Sequence, residues 1–313
     1  MEHFQRFASI GTHSLSYALR GIPRQPGTPL VLILPGITRS ALEWSAVCRY
    51  LESEAPIFLY ERSGYGRSEE SPNEPDSLTI VDELCRLLKS AALEPPYLVV
   101  GHSWGGTLAR EFVAARPIED ISGLVLVDAV QERMQFETWP DPSISAVSEG
   151  LDYFDVVGLT RDHQLTASEW SEYMNEQLSE KHVRQANREM PYLQVSRSVI
   201  AQKRQLEPGR NIFHGKPLSV LMGNSRRDME LMYEAGVANG RGTEAQRAAF
   251  RDYLATWDQS EDSFQREFLH MSTLTRLSVA TKSGHNVPIT EPQLIADEIR
   301  WALQNVPISF PVS

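Results

Sequence analysis

The chain has 313 residues, of which 41% are hydrophobic, and its formal net charge at pH 7 is −11. This length and composition are typical of a globular protein with one large or two modest domains. The negative charge, which no local basic cluster offsets, argues against nucleic acid and against anionic membrane surfaces as partners.

The two cysteines, Cys48 and Cys85, both fall in amphipathic helical segments. We therefore expect two buried free thiols and a reducing compartment. The N-terminus has no apolar signal-peptide core, no apolar run reaches membrane-spanning length, and the last three residues are not a peroxisomal signal. These features predict a cytoplasmic protein.

The first part of the chain predicts a hairpin followed by a buried strand. Residues 3–20 alternate weakly between apolar and polar side chains and break at Gly11. The run LVLIL at 30–34 is continuously apolar, which is typical of a parallel strand buried on both faces. The loop that follows it reads PGIT at 35–38.

A second apolar strand at 56–60 leads into the loop ERSGYGRS at 61–68. Its glycines permit a tight return of the chain, and we expect Arg62 to pair with a carboxylate that fixes this loop. An amphipathic helix at 78–93 then carries the chain to the next strand.

The central motif is GHSWGG at 101–106, which lies between an apolar strand and an amphipathic helix. In such a turn the serine, Ser103, has strained backbone geometry, and the glycines let strand and helix pass closely. The backbone N–H of Trp104, at the first turn of the helix, points to where an oxyanion would form. The stretch resembles the nucleophile elbow of α/β-hydrolases.

Strands and helices continue to alternate after this motif, and another buried strand at 123–127 ends in Asp128. Such alternation with short connections predicts an α/β fold with a doubly wound, mostly parallel sheet. Ligands of such sheets bind beyond the carboxyl ends of the strands.

Residues 131–214 interrupt this alternation with helical, aromatic-rich sequence. We interpret them as a helical cap (lid) domain over a core domain formed by residues 1–130 and 215–313. Some of the cap aromatics should bind substrate, and the candidates are Trp139, Tyr153 and Phe154.

The sheet resumes at 217–222, and a charged helical insertion of roughly forty residues follows, which we interpret as a solvated helix pair. A last strand at 275–280 leads to SGHNVP at 283–288 and a final helix at 291–305. Of the eight histidines, His285 is the one in a Gly-His loop after the last strand.

The four motifs PGIT, ERSGYGRS, GHSWGG and SGHNVP, in this order, resemble those of the α/β-hydrolase superfamily over nearly the full length. The resemblance is to the serine hydrolase branch with a helical cap. It implies Ser103 as nucleophile, His285 as base, and an oxyanion hole made by the N–H groups of Ile37 and Trp104. Pro35 stands where most members carry histidine.

Two aspartates compete for the third position of the triad. Asp228 follows the strand that resumes after the cap, the commonest position in the family, but it lies five residues past Gly223 where the family spacing is three. Asp128 ends the strand beside the elbow helix, where some members place their acid. We favour Asp128, because a strand end is positioned by rigid backbone.

These residues predict a carboxylic ester hydrolase (EC 3.1 class) that cleaves an ester, lactone or thioester of a medium-sized hydrophobic small molecule through an acyl-enzyme. We expect no cofactor and no metal site, and a monomer or homodimer. Three alternatives stay open: non-hydrolytic acyl transfer, condensation or cyclisation in natural-product synthesis; a ligand receptor; and a peptidase like proline iminopeptidase.

Overall fold

A computed structural model describes residues 6–134 and 141–307 of the chain. Its centre is an eight-stranded sheet of order β1-β2-β4-β3-β5-β6-β7-β8. The strands are β1 (Arg6–Ser9), β2 (Ser14–Gly21), β3 (Leu30–Leu34), β4 (Pro56–Tyr60), β5 (Tyr97–His102), β6 (Ile121–Val127), β7 (Pro217–Met222) and β8 (Leu274–Val279).

The first two strands form the predicted hairpin, and β2 pairs with β4 in antiparallel fashion. All other neighbouring strands are parallel. Every residue of β3, β5, β6 and β7 is buried, as expected for parallel strands covered on both faces. The prediction of a doubly wound, mostly parallel α/β fold is confirmed.

Helices cover both faces of this sheet. They are α1 (Ser45–Leu51), α2 (Ser77–Ser90), α3 (Trp104–Ala115), α4 (Pro142–Ser148), α5 (Tyr153–Val156), α6 (Leu159–Asp162), α7 (Ala167–Gln177), α8 (Glu180–Glu189), α9 (Tyr192–Ala201), α10 (Ser225–Ala238), α11 (Glu244–Glu267), α12 (Val287–Thr290) and α13 (Pro292–Gln304). Helices α1 and α13 pack on one face through side chains such as Val47 and Ile295. Helices α2 and α3 pack on the other through Leu84 and Leu108.

Helices α4 to α9 lie between β6 and β7 in the chain, and α10 and α11 lie between β7 and β8. The interpretation of the second insertion as a solvated helix pair was wrong for one of its faces. Phe250 and Leu254, one turn apart on α11, are buried against Ile144 and Val147 of α4. This apolar stripe joins α11 to the helices of the first insertion.

The described helices include none long and apolar enough to cross a membrane. Both cysteines are free thiols. Cys48 is buried as expected, whereas Cys85 is only half-buried, because it lies at the edge of the buried face of α2.

The register of the central strands brings two of the predicted site residues together. His102 of β5 is paired with Val127 of β6, so Ser103 and Asp128 leave adjacent strands at the same carboxyl edge. The N–H of Asp128 donates to the carbonyl of Leu221 in β7 at 2.7 Å, which ties that strand end to the next strand. The topology thus places the site where open α/β sheets bind their ligands.

Candidate active site

Ser103 occupies a sharp turn between β5 and α3, with φ of 55° and ψ of −124°. This is a disfavoured backbone conformation for a residue with a side chain. A Cβ atom on Gly101 would lie 2.4 Å from the carbonyl oxygen of Gly105, and one on Gly105 would lie 2.1 Å from that of Leu34. The two glycines are therefore required by the close approach of strand and helix.

His285 meets Asp128 at the carboxyl edge of the sheet. The Nδ1 atom of His285 lies 2.6 Å from Oδ2 of Asp128. Because a carboxylate accepts, Nδ1 carries the proton and Nε2 is left as the basic nitrogen. Asp128 also accepts hydrogen bonds from the N–H of Gly223 at 2.8 Å and the hydroxyl of Ser225 at 2.7 Å.

These contacts change the pKa of both partners. Burial by itself raises the pKa of Asp128, but the hydrogen bond and charge of His285, with the bond from Ser225, outweigh it and keep that pKa below its usual value. Burial by itself lowers the pKa of His285, but the hydrogen bond and charge of Asp128 outweigh it and raise that pKa. The contact thus favours the doubly protonated, positively charged form of the imidazole beside an ionised carboxylate.

Asp228 lies on the other side of His285 and contacts its backbone. Its Oδ2 accepts from the N–H of His285 at 3.0 Å and from the hydroxyl of Tyr153 at 3.2 Å, and Oδ1 accepts from Arg227 at 2.9 Å. Burial raises the pKa of Asp228. Of the two candidate acids, Asp128 is bonded to the imidazole and Asp228 to the loop that carries it.

His102, inside the elbow motif, is a further contact of this loop. Its Nε2 donates to the carbonyl of His285 at 2.8 Å, and the two imidazole rings lie 4.7 Å apart. Its Nδ1 faces the buried carboxylate of Glu43 at 3.7 Å. Burial by itself raises the pKa of Glu43, but the neighbouring His102 outweighs this effect and keeps that pKa below its usual value.

The loop of residues 35–39 closes over Ser103 from the neighbouring strand. A Cβ atom on Gly36 would lie 3.2 Å from that of Ser103. Ile37 and Ser103 line one cavity. Trp104 begins α3, so its N–H has no acceptor within the helix, while its buried indole donates to Ser196 at 2.7 Å.

The cavity above Ser103 has a volume of about 430 Å³. Tyr153 lines it, whereas Phe154 does not and packs against Tyr173 and Arg39. Trp139, the third predicted binding residue, lies outside the described residues. Sequence reasoning did not name the other side chains that line the cavity. They include Met134, which precedes α4, and the helical residues Ile144, Leu193, Arg197, Met229, Met232, Trp257 and Glu261.

Glu261 of α11 is an acidic group in this otherwise largely apolar wall. Its carboxyl group accepts from the amide of Gln265 at 2.8 Å. Burial, with a smaller contribution from the charge of Asp128, raises the pKa of Glu261 to about 7. Among the described residues, no three His, Cys, Asp or Glu side chains are grouped to hold a metal ion.

Comparison with known proteins is consistent with this architecture. The model of the alpha/beta hydrolase family matches residues 31–298. The chain belongs to the alpha/beta hydrolase family. Over 297 residues it is 30% identical to an AB hydrolase superfamily protein of Gibberella zeae, which covers 91% of this chain and 90% of that protein.

Solved structures of low sequence identity share the fold of this family member. A protein of Acinetobacter baumannii assigned as a lipase superposes with a TM-score of 0.66 at 16% identity, covering 97% of this chain and 92% of that one. The enol-lactonase of Burkholderia xenovorans LB400 gives a TM-score of 0.58 at 16% identity, covering 96% and 100% of the two chains.

Proposed function

We propose that this family member is a serine hydrolase that cleaves an ester, lactone or thioester of a medium-sized hydrophobic small molecule. The observation that carries the proposal is the 2.6 Å contact between His285 and Asp128 at the cavity that Ser103 lines. Support for an apolar substrate comes from the methionine, leucine and aromatic side chains of the cavity wall. The names of the lipase and the lactonase fit this bond class.

In the proposed reaction, Nε2 of His285 takes the hydroxyl proton of Ser103 as its Oγ attacks the substrate carbonyl carbon. The N–H groups of Ile37 and Trp104 donate to the oxyanion. His285 then gives its proton to the leaving alcohol or thiol as the carbonyl–heteroatom bond breaks. Water, deprotonated by the same imidazole, attacks the acyl-enzyme, releasing the acid and restoring Ser103.

Asp128 is the proposed acid of the triad, which fixes the imidazole tautomer and stabilises its charged form. Asp228 supports the backbone of the same loop. Tyr153 and Trp139 stay candidates for substrate binding in a cap of residues 131–214. We assign Phe154 to packing within the cap, because it contacts Tyr173 and does not line the cavity. The cytoplasmic location and the monomeric or homodimeric state stay predictions from the sequence.

A panel of p-nitrophenyl esters of increasing acyl length tests this function. We expect hydrolysis by the wild type and a loss on the order of 10⁴-fold or more in Ser103→Ala, with folding intact. Acyl transfer to an added alcohol without release of acid would favour the non-hydrolytic alternative. Absence of turnover with every ester, thioester, lactone and N-terminal prolyl substrate would contradict the proposal and favour a receptor.

A further inference from the structure

Arg62 contributes to the direction of the Ile37 N–H through the peptide group that precedes Ile37. A peptide group is planar and trans, so this N–H points away from the carbonyl of Gly36. That carbonyl accepts from Nη2 of Arg62 at 2.9 Å, and the carbonyl of Pro35 accepts from Nη1 at 3.2 Å. The carbonyl of Gly36 also accepts from the N–H of Arg39 at 3.3 Å in a backbone turn, so the guanidinium of Arg62 and this turn together fix the orientation of the proposed oxyanion donor.

Glu189, the last residue of α8, fixes that guanidinium. Its Oε1 accepts from Nε of Arg62 and its Oε2 from Nη2, both at 2.9 Å, and both side chains are buried. The same Oε2 accepts from the N–H of Thr38 at 3.0 Å. One carboxylate thus acts on both peptide groups that flank Ile37, through Arg62 on one side and directly on the other.

Helix α8 also holds Thr38 by its carbonyl oxygen, to which Nε2 of His182 donates at 3.0 Å. Thr38 has a φ of 56°, a left-handed conformation that a β-branched residue rarely adopts. Such a conformation persists where surrounding contacts enforce it. Glu189 and His182 supply these contacts at the N–H and the carbonyl of the same residue.

We propose that helix α8 positions the oxyanion hole, with Glu189 aiming the N–H of Ile37 into the cavity through Arg62 and Thr38. Glu189 and His182 are positioning residues, since neither lines the cavity that contains Ser103. The inference rests on the proposed serine hydrolase function and goes beyond it. It makes the segment between β6 and β7 a part of the catalytic apparatus as well as a cover for the substrate.

The test variant is Glu189→Asp, which keeps the negative charge beside Arg62 but withdraws the carboxylate by one methylene group. The flexible side chain of Arg62 can follow it, whereas the backbone N–H of Thr38 cannot. A second variant, His182→Phe, removes the other contact with Thr38 and keeps a ring beside Tyr65, 4.7 Å away in the wild type. Glu180→Asp, exposed at the start of the same helix, is the matched control.

We expect kcat to fall by about 10- to 100-fold in Glu189→Asp, less than the loss of an entire oxyanion donor, because the N–H is displaced but not removed. KM should change by less than about threefold, since the hole serves the transition state. The affinity of a boronic acid, whose tetrahedral adduct with Ser103 fills the hole, should fall as kcat does. Hydrogen exchange in segment 35–39 should accelerate, while Glu180→Asp matches the wild type throughout.

The inference is overturned if Glu189→Asp and His182→Phe both fold and both keep the wild-type kcat, boronic acid affinity and hydrogen exchange. If Glu189→Asp does not fold, His182→Phe decides by the same three measurements. A wild type that binds no boronic acid contradicts the serine hydrolase proposal instead. In that case the exchange of segment 35–39 in the variants still decides whether α8 controls this loop.

Discussion

At the scale of single residues, the two aspartates beside His285 have different tasks. Asp128→Asn removes the charge that fixes the imidazole tautomer, so kcat should fall by about 10³- to 10⁴-fold. Asp228→Asn retains an oxygen that can accept from the N–H of His285, and should cost roughly tenfold or less. Steady-state hydrolysis of one p-nitrophenyl ester measures both, and the reverse order of losses would show that Asp228 is the acid.

The pH dependence of kcat/KM should follow the ionisation of His285 in the free enzyme. The neutral imidazole is the active form, so activity rises with pH through the pKa of His285, which Asp128 raises against the effect of burial. We expect the midpoint of this acid limb above the ordinary pKa of histidine. Asp128→Asn should move it to lower pH; an unmoved midpoint would contradict this origin of the limb.

Local sequence predicted Ser103 and His285 because each sits in a short motif after a strand. It favoured Asp128 over Asp228 only by the rigidity of a strand end, because both lie within hydrogen-bond reach of His285 and differ in which of its atoms they contact. Glu189 had no local signal at all, since its partner Arg62 is 127 positions away in the chain.

At the scale of elements, α10 and α11 contribute to the cavity together with the helices between β6 and β7. Met232 of α10 lines the cavity, so Met232→Ala should enlarge it and favour long acyl chains. The ratio of kcat/KM for long to short esters should change by a factor that corresponds to about 1–3 kcal/mol of discrimination. Met271→Ala, which truncates another buried methionine that does not line the cavity, is the control and should leave that ratio unchanged.

Equal effects of Met232→Ala on all acyl lengths would assign this side chain to packing alone.

The many charges of α11 dominated its sequence pattern and predicted a solvated helix. The buried face rests on only a few positions one turn apart, such as Phe250 and Leu254, and their packing partners on α4 lie about a hundred residues earlier. Fold class, by contrast, was predictable because it depends on the long, uninterrupted apolar strands.

At the scale of the whole molecule, the buried pair of Arg62 and Glu189 joins α8 to the loops of the sheet. Arg62→Ala leaves Glu189 as an uncompensated buried charge, so the free energy of unfolding should fall by about 3–5 kcal/mol. Urea unfolding measures this change. Arg86→Ala, which breaks an exposed pair with Asp82, should cost less than about 1 kcal/mol, and equal costs would contradict the structural role of the buried pair.

The site of a covalent adduct tests directly whether Ser103 is the nucleophile. The protein is treated with a fluorophosphonate, digested with trypsin, and the peptide of residues 90–110 is fragmented by mass spectrometry; it contains Ser90 and Ser103. We expect an adduct on Ser103, loss of ester hydrolysis in proportion to labelling, and no adduct in Ser103→Ala. Labelling of another residue with activity retained would contradict the assignment of Ser103 as the nucleophile.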